Sequence, residues 1–297
     1  MSGSGRVRVL SCAWLTLLGC LAVAPAAPGA REARISVPVA SVYRAPAPGA
    51  ERVTQGLLWE RVLVLGERGP WVKVLLPDQY RTPQGYPGWM LRRHLVLDTP
   101  ETLAPVVTVG VPQAAVRLRP EAGSPVASVA LFSSDLPWSR RQGDWFQVKL
   151  PGRAEPGWVS AREVLEAPLP AQGADVLATA SRLEGTSYLW GGMSRQGIDC
   201  SGLAYTVYKV HGFLLPRDAD QQFQVGVAVD RADLEPGDLV FFGSAKTGRV
   251  THVGFFVGED QFLHASGTWG VARTSLEHPR YKTAWLGARR ILTEPAP

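Results

Sequence analysis

The sequence predicts an α+β protein in three folded parts, two small β-barrels followed by a domain of helices and an antiparallel sheet. Three observations carry this prediction. A strand-rich segment in the first half occurs twice. The apolar pattern turns helical after Ala174. A single body cysteine precedes an apolar helix, and two histidines follow on a strand hairpin. The 297 residues suffice for two or three domains. With 45% hydrophobic and 19% charged residues, the composition is globular. The 31 glycines and 24 prolines suit many turns between short strands.

The chain opens on a targeting segment. Arg6 and Arg8 precede an apolar run from Val9 to Ala24, and small residues follow. This reads as a signal peptide, so residues 1–30 are assigned to a leader and tether. Two processing sites stay open. Ala24-Pro25-Ala26 is a small-x-small site, whereas Leu17-Leu18-Gly19-Cys20 resembles the bacterial lipoprotein box. Lipidation of Cys20 would attach the chain to a membrane. Cys12 and Cys20 both lie in this segment, which leaves Cys200 as the sole thiol of the mature body. An unpaired cysteine in a secreted chain is either inert and buried or reactive. The net charge of +5 comes without a Lys/Arg run, so no nucleic-acid partner is expected. The balance suits attraction to an anionic surface.

The repeat covers residues 31–98 and 99–167. Val42-Tyr43-Arg44-Ala45-Pro46 matches Val116-Arg117-Leu118-Arg119-Pro120, and Trp71-Val72-Lys73-Val74 matches Trp145-Phe146-Gln147-Val148, each 74 positions apart. Gly88-Trp89-Met90 matches Gly157-Trp158-Val159, 69 positions apart. The first copy thus carries extra residues, around Thr82 to Pro87, that make this loop a candidate for a specific contact. Tryptophan-started β-favouring runs between Pro/Gly clusters argue for a small barrel in each copy. His94 sits in Arg92-Arg93-His94 and reads as a solvated surface residue. Glu166 to Gly173 is a Pro-rich connection, and the last domain is placed at 174–293.

In that domain Val176, Leu177, Ala180 and Leu183 suit an amphipathic helix. Tyr188-Leu189-Trp190-Gly191-Gly192 is strand-like or turning. Leu203, Val207 and Val210 line one face of a second helix that ends near Gly212, so Cys200 falls at its start. A helix N-terminus favours an anion, and the thiol pKa is expected below its ordinary value of about 8.5. Arg249 to Gly258 and Gln261 to Ser266 read as adjacent antiparallel strands around a Gly-Glu-Asp turn. That pairing sets His252 beside His264, one to activate the thiol and one to orient the first. A lone histidine is more often structural; Cys200, His252 and His264 point to catalysis only as a set. His211 closes a helix, where a cation suits the dipole, and His278 precedes a proline. Neither receives a role.

Asp199-Cys200-Ser201-Gly202, His252-Val253-Gly254, His264-Ala265 and Tyr188-x-Trp190-Gly191-Gly192 together resemble the NlpC-type cell-wall cysteine peptidases. Leu234 to Phe242 fits the same family as a turn feeding a buried strand. The resemblance implies a papain-like α+β fold with Cys200 as nucleophile, His252 as general base and His264 as the residue that orients it. It implies neither metal nor cofactor. The landmarks of each repeat, R-x-x-P, W-x-x-V and G-W-[VM], resemble bacterial SH3-like modules.

Such modules before such a domain are similar to the γ-D-glutamyl-L-diamino acid endopeptidases. That likeness implies cleavage of peptidoglycan stem peptides, L-Ala-γ-D-Glu-L-diamino acid, with a free N-terminal L-Ala. It implies substrate contacts at Tyr188, Asp199, Ser201 and Asp218, with Glu60 and Tyr86 of the first module completing an amine pocket. Two alternatives remain: a D,L-endopeptidase or amidase acting on intact wall, and a non-enzymatic wall-binding protein. The expected location is extracytoplasmic.

Overall fold

A computed structural model describes residues 31–97 and 104–291 of the chain. The proposed leader, with its cleavage and lipidation sites, lies outside the described residues. Among them, no helix is long and apolar enough to cross a membrane.

The first module has seven strands: Arg31–Ile35, Val39–Tyr43, Arg52–Leu57, Arg61–Arg68, Trp71–Leu76, Tyr86–Leu91 and Leu95–Leu97. Taken by number they lie in the order third, second, sixth, fifth, fourth, first, seventh. The second module repeats that order with Val106–Val109, Gln113–Arg117, Val126–Leu131, Asp135–Gln142, Trp145–Val148, Gly157–Ser160 and Val164–Leu165. Alternation drives both. In Trp71–Leu76, Val72 and Val74 point inward and Lys73 outward; in Trp145–Val148, Phe146 and Val148 are fully buried.

Each module passes one apolar side chain to its neighbour. Leu58 follows the third strand of the first module and joins the core of the second. Phe132 occupies the equivalent place in the second module and joins the core of the C-terminal domain. Both turns need a left-handed residue, Trp59 (φ 71°) and Ser133 (φ 66°). The turn aims a hydrophobe outward in each copy, and only the recipient differs.

The C-terminal domain is built on a six-stranded antiparallel sheet. Its order is Val227–Val229, Trp285–Arg290, Leu239–Ser244, Arg249–Gly258, Gln261–Ser266, Gly270–Ser275. Helices α1 (Gly173–Ser181) and α2 (Cys200–Val210) pack on one face around Leu203, Val207, Phe241 and Phe255. The other face buries Phe242, Phe262 and Tyr281. Two short helices, α3 (Ala219–Gln222) and α4 (Pro279–Lys282), complete the domain. The expected strands at 249–258 and 261–266 form as an adjacent pair.

Candidate active site

Helix α2 begins at Cys200 because Asp199 caps it. The Asp199 carboxylate accepts the Gly202 N–H at 2.6 Å, a contact of the kind worth about 1 kcal/mol. Asp199 also accepts from Gly191 N at 2.8 Å, and from the Arg217 guanidinium at 2.8 and 3.1 Å. Arg217 is 1% exposed and extends to Ser201 Oγ (2.9 Å) and Thr54 Oγ1 (2.9 Å). Asp199 and Ser201 do line the cleft. Asp199, however, is saturated by its own chain, so its first work is to hold the turn that begins at Cys200.

Burial reverses the expectation for the thiol. Cys200 is 8% exposed. Burial pushes its pKa up to about 12, and the Asp199 charge adds to the rise. The N–H groups of Val253 and Ser201 oppose it without winning. The helix start does favour an anion, but Asp199 already fills that role. The resting thiol is therefore neutral.

His252 and His264 meet as predicted, though diagonally. Phe255 pairs with Leu263, which sets Gly254 opposite His264. A Cβ at Gly254 would stand 2.9 Å from the His264 Cβ, so glycine there leaves room for the rings. His252 Nε2 lies 2.7 Å from His264 Nδ1, and His264 Nε2 lies 3.0 Å from Thr274 Oγ1. Burial holds His252 down to about 4 and His264 to about 3, with Arg280 lowering both and His252 also lowering His264. Both rings are thus neutral near pH 7. With His252 Nε2–H donating to His264 Nδ1 and His264 Nε2–H donating to Thr274 Oγ1, the His252 Nδ1 lone pair stays available to accept a proton. Thr274 escaped the sequence reading. Its only signal was a place on the strand next to that of His264.

The cleft at Cys200 has a volume of about 650 Å³ and runs between the first module and the C-terminal domain. Tyr86 and Asp218 meet in it, with the Tyr86 hydroxyl 3.2 Å from the carboxylate. Arg81 donates to Asp218 as well. Burial raises the Asp218 pKa, against Arg217 and Arg81. Tyr188 borders the cleft on the thiol side, and its hydroxyl pKa is raised by burial and by Cys200, so it remains a donor.

Glu60 is not brought to this cleft. Its carboxylate accepts from Leu57 N (2.9 Å) and Gln79 Nε2 (2.7 Å), and it closes its own turn. The acid that the first module turns into the cleft is Glu51. Glu51 pairs with Arg44 at 2.5 Å and accepts from Trp190 Nε1 at 3.1 Å. Sequence reasoning missed it because nothing local marks it, whereas Glu60 followed a conspicuous Gly-Leu-Leu-Trp run.

Of the extra residues around Thr82 to Pro87, Tyr86 makes a specific contact, with Asp218, and the stretch just before them adds two more. Tyr205 donates to Asp78 O at 3.0 Å, and Gln221 donates to Arg81 O at 2.8 Å. A Cβ at Gly191 (φ 71°) would meet Arg52 and Thr54 at 3.0–3.2 Å, so glycine lets the Tyr188–Gly192 turn lie against the first module. His211 and His94 differ from their readings, whereas His278 precedes Pro279 as a helix cap. His211 is 3% exposed, bonded to Pro170 O and Thr179 Oγ1, and lowered by burial, so it is a neutral strut and not a helix-end cation. His94 is half-buried, and burial lowers it too.

Residues 185–290 match the model of the NlpC/P60 family, and residues 42–95 match that of the bacterial dipeptidyl-peptidase Sh3 domain. A gamma-D-glutamyl-L-lysine dipeptidyl-peptidase of Bacillus cereus is 34% identical over 252 residues, covering 80% of this chain and 75% of that one. Its namesake in Bacillus subtilis is 33% identical over 248 residues, covering 81% of each. The crystal structure of an NlpC/P60 family protein from Bacillus cereus superposes with a TM-score of 0.79 at 29% identity, over 88% of this chain and 99% of that one.

Proposed function

The chain belongs to the NlpC/P60 family of cysteine peptidases, and we propose that it cleaves the γ-D-glutamyl-L-diamino acid bond of peptidoglycan stem peptides that carry a free N-terminal L-Ala. The observation that carries this reading is the end of the cleft. There Glu51 and Tyr86 of the first module line the same cleft as Asp218 and Cys200, with Tyr86 in contact with Asp218. An L-Ala ammonium there would find the Glu51 carboxylate and the largely buried Asp218 carboxylate. An acylated alanine offers no cation and needs room that the module fills. Such a substrate gains no charge pairing with Glu51 or Asp218 and meets the module sterically.

Cys200 is the nucleophile in this reading. Its proton passes to His252 Nδ1 as the sulfur attacks the γ-carbonyl carbon of D-Glu. Proton transfer within the encounter suits the resting state, because burial disfavours a standing thiolate–imidazolium pair. The Cys200 N–H and the Tyr188 hydroxyl stabilise the oxyanion. His252 then protonates the departing amine as the C–N bond breaks, leaving a thioester on Cys200. Next it takes a proton from water, whose oxygen attacks the thioester; the C–S bond breaks, L-Ala-γ-D-Glu leaves, and His252 returns the proton to the sulfur. His264 and Thr274 hold the His252 ring. The work lies outside the cytoplasm, where stem peptides arise from wall turnover.

The test compares L-Ala-γ-D-Glu-L-Lys with its N-acetyl form by kcat/KM. The free amine is expected to lead by about 100-fold, in line with the loss of a desolvated charge pairing. Cys200→Ala abolishes turnover of both. Equal rates on the two peptides would sink the amine pocket, and parental activity in Cys200→Ala would sink the nucleophile.

A further inference from the structure

Past His252 the cleft continues into a second cavity of about 280 Å³, which shares Tyr188, Trp190 and Thr251 with the first. The two differ in charge. The first is mixed, with Glu51, Asp199, Asp218 and Asp220 lining it together with Arg44, Lys73, Arg81 and Arg249. No carboxylate lines the second cavity, and Arg280 is its one permanent charge.

Arg280 is placed for use. Its guanidinium carbon lies 5.8 Å from the centre of the Tyr281 ring, and that ring stacks on His252 at 5.7 Å. The cation therefore stands one ring away from the base, and its field already lowers both His252 and His264. Neighbouring cations are spoken for: Arg231 and Lys282 pair with Glu277, and Arg273 pairs with Glu184. Among the described residues no carboxylate pairs with Arg280.

We propose that Arg280 binds a carboxylate of the diamino acid on the leaving side of the bond, and so determines which leaving groups the enzyme accepts. This rests on the cleavage reading above. A peptide seated that way meets carboxylates at its ammonium end and a guanidinium at its acid end. The bond formed is a charge-assisted hydrogen bond of the kind that arginine makes with planar oxyanions. Two carboxylates qualify. One is the α-carboxylate of a tripeptide's last residue, and the other is the side-chain carboxylate of a diaminopimelate-type residue. An intact wall strand ending in a longer peptide presents no α-carboxylate there.

Three tripeptides separate the sources: L-Ala-γ-D-Glu-L-Lys, its C-terminal amide, and the C-terminal amide of L-Ala-γ-D-Glu-diaminopimelate. The unmodified enzyme is expected to favour a carboxylate-bearing peptide over the lysine amide by about 10-fold in kcat/KM. A lead by the lysine acid identifies the α-carboxylate; a lead by the diaminopimelate amide identifies the side chain. Arg280→Gln brings that ratio close to one, and Arg280→Lys retains part of it. Ratios within one variant do not depend on how much of it folds. Parental ratios in Arg280→Gln, or no preference in the unmodified enzyme, would overturn the proposal. Failure of the unmodified enzyme to cleave any of the three overturns the cleavage reading instead.

Discussion

The two N-terminal modules share a strand order and even a left-handed turn, yet only the first reaches the cleft at Cys200. Position by position, the difference lies in side chains and not in the frame. Arg44 and Glu51 of the first stand where the second has Leu118 and Pro125. Tyr86, before Pro-Gly-Trp, corresponds to Glu155. Thr54 and Gln55, which bond Arg217 and Met193 N, correspond to Ser128 and Val129. The second module instead holds the back of α2, through Phe132 in the core, the Ser133 carbonyl to Lys209 at 2.9 Å, and the Asp135–Lys209 pair. One fold therefore serves twice, once as a wall of the site and once as its buttress. Sites grafted on a common frame need not share its function.

The division is broken most severely at Phe132. Phe132→Ala removes a side chain that is 6% exposed from the domain core and is expected to cost about 3–5 kcal/mol of stability. Thermal unfolding followed by circular dichroism measures it. Selectivity between the free and N-acetylated peptides should persist in the folded fraction. A variant of undiminished stability with altered selectivity would place the second module in the site after all.

Thr54→Val sharpens the other half of the comparison. The swap keeps the shape and strips a hydroxyl that accepts from Arg217 and donates to Gln79 at 2.6 Å. Two buried polar groups lose a partner, at about 1–3 kcal/mol. Because Arg217 holds Asp199, and Asp199 caps the helix of Cys200, kcat is expected to fall by roughly 10-fold. Ser128→Ala, at the same place in the second module, should change stability by less than about 0.5 kcal/mol and leave kcat alone. Similar losses in the two variants would erase the distinction.

Much of the frame was legible because it is written in periodicities. The repeat of Trp-led strands, the apolar face of Leu203, Val207 and Val210, and the hairpin carrying His252 and His264 are each local patterns with a fixed spacing. The legible parts of the site lie within such patterns. Glu51 was not legible, because its place in the cleft depends on how one domain docks on another. Glu60 was chosen from a neighbouring run and proved to close its own turn. The thiol's pKa was misjudged for a related reason. The helix start argued for a lowered value, but Asp199 occupies that start and Cys200 is buried beside it. Burial and competing partners are tertiary facts, and no spacing along the chain carries them.

Glu60 gives the smallest effect and a clean sign. Burial raises its pKa from 4.5 to about 7 in the folded chain, against Lys209 and the Leu57 and Gln79 donors. The folded state therefore holds the proton more tightly than the unfolded state does. The stability tied to that proton is fully present below about 4.5 and is lost as pH rises through about 7. Glu60→Gln keeps an acceptor and removes the charge, so it should be the more stable protein at pH 8 by on the order of 1 kcal/mol. The advantage should vanish near pH 4. The equivalent residue in the second module is Ser134, which has no charge to lose. Thermal midpoints of the two chains at pH 4, 6 and 8 test this. Parallel curves would mean that water reaches Glu60 and that the turn at the junction of the first module, Tyr205 and Lys209 is open.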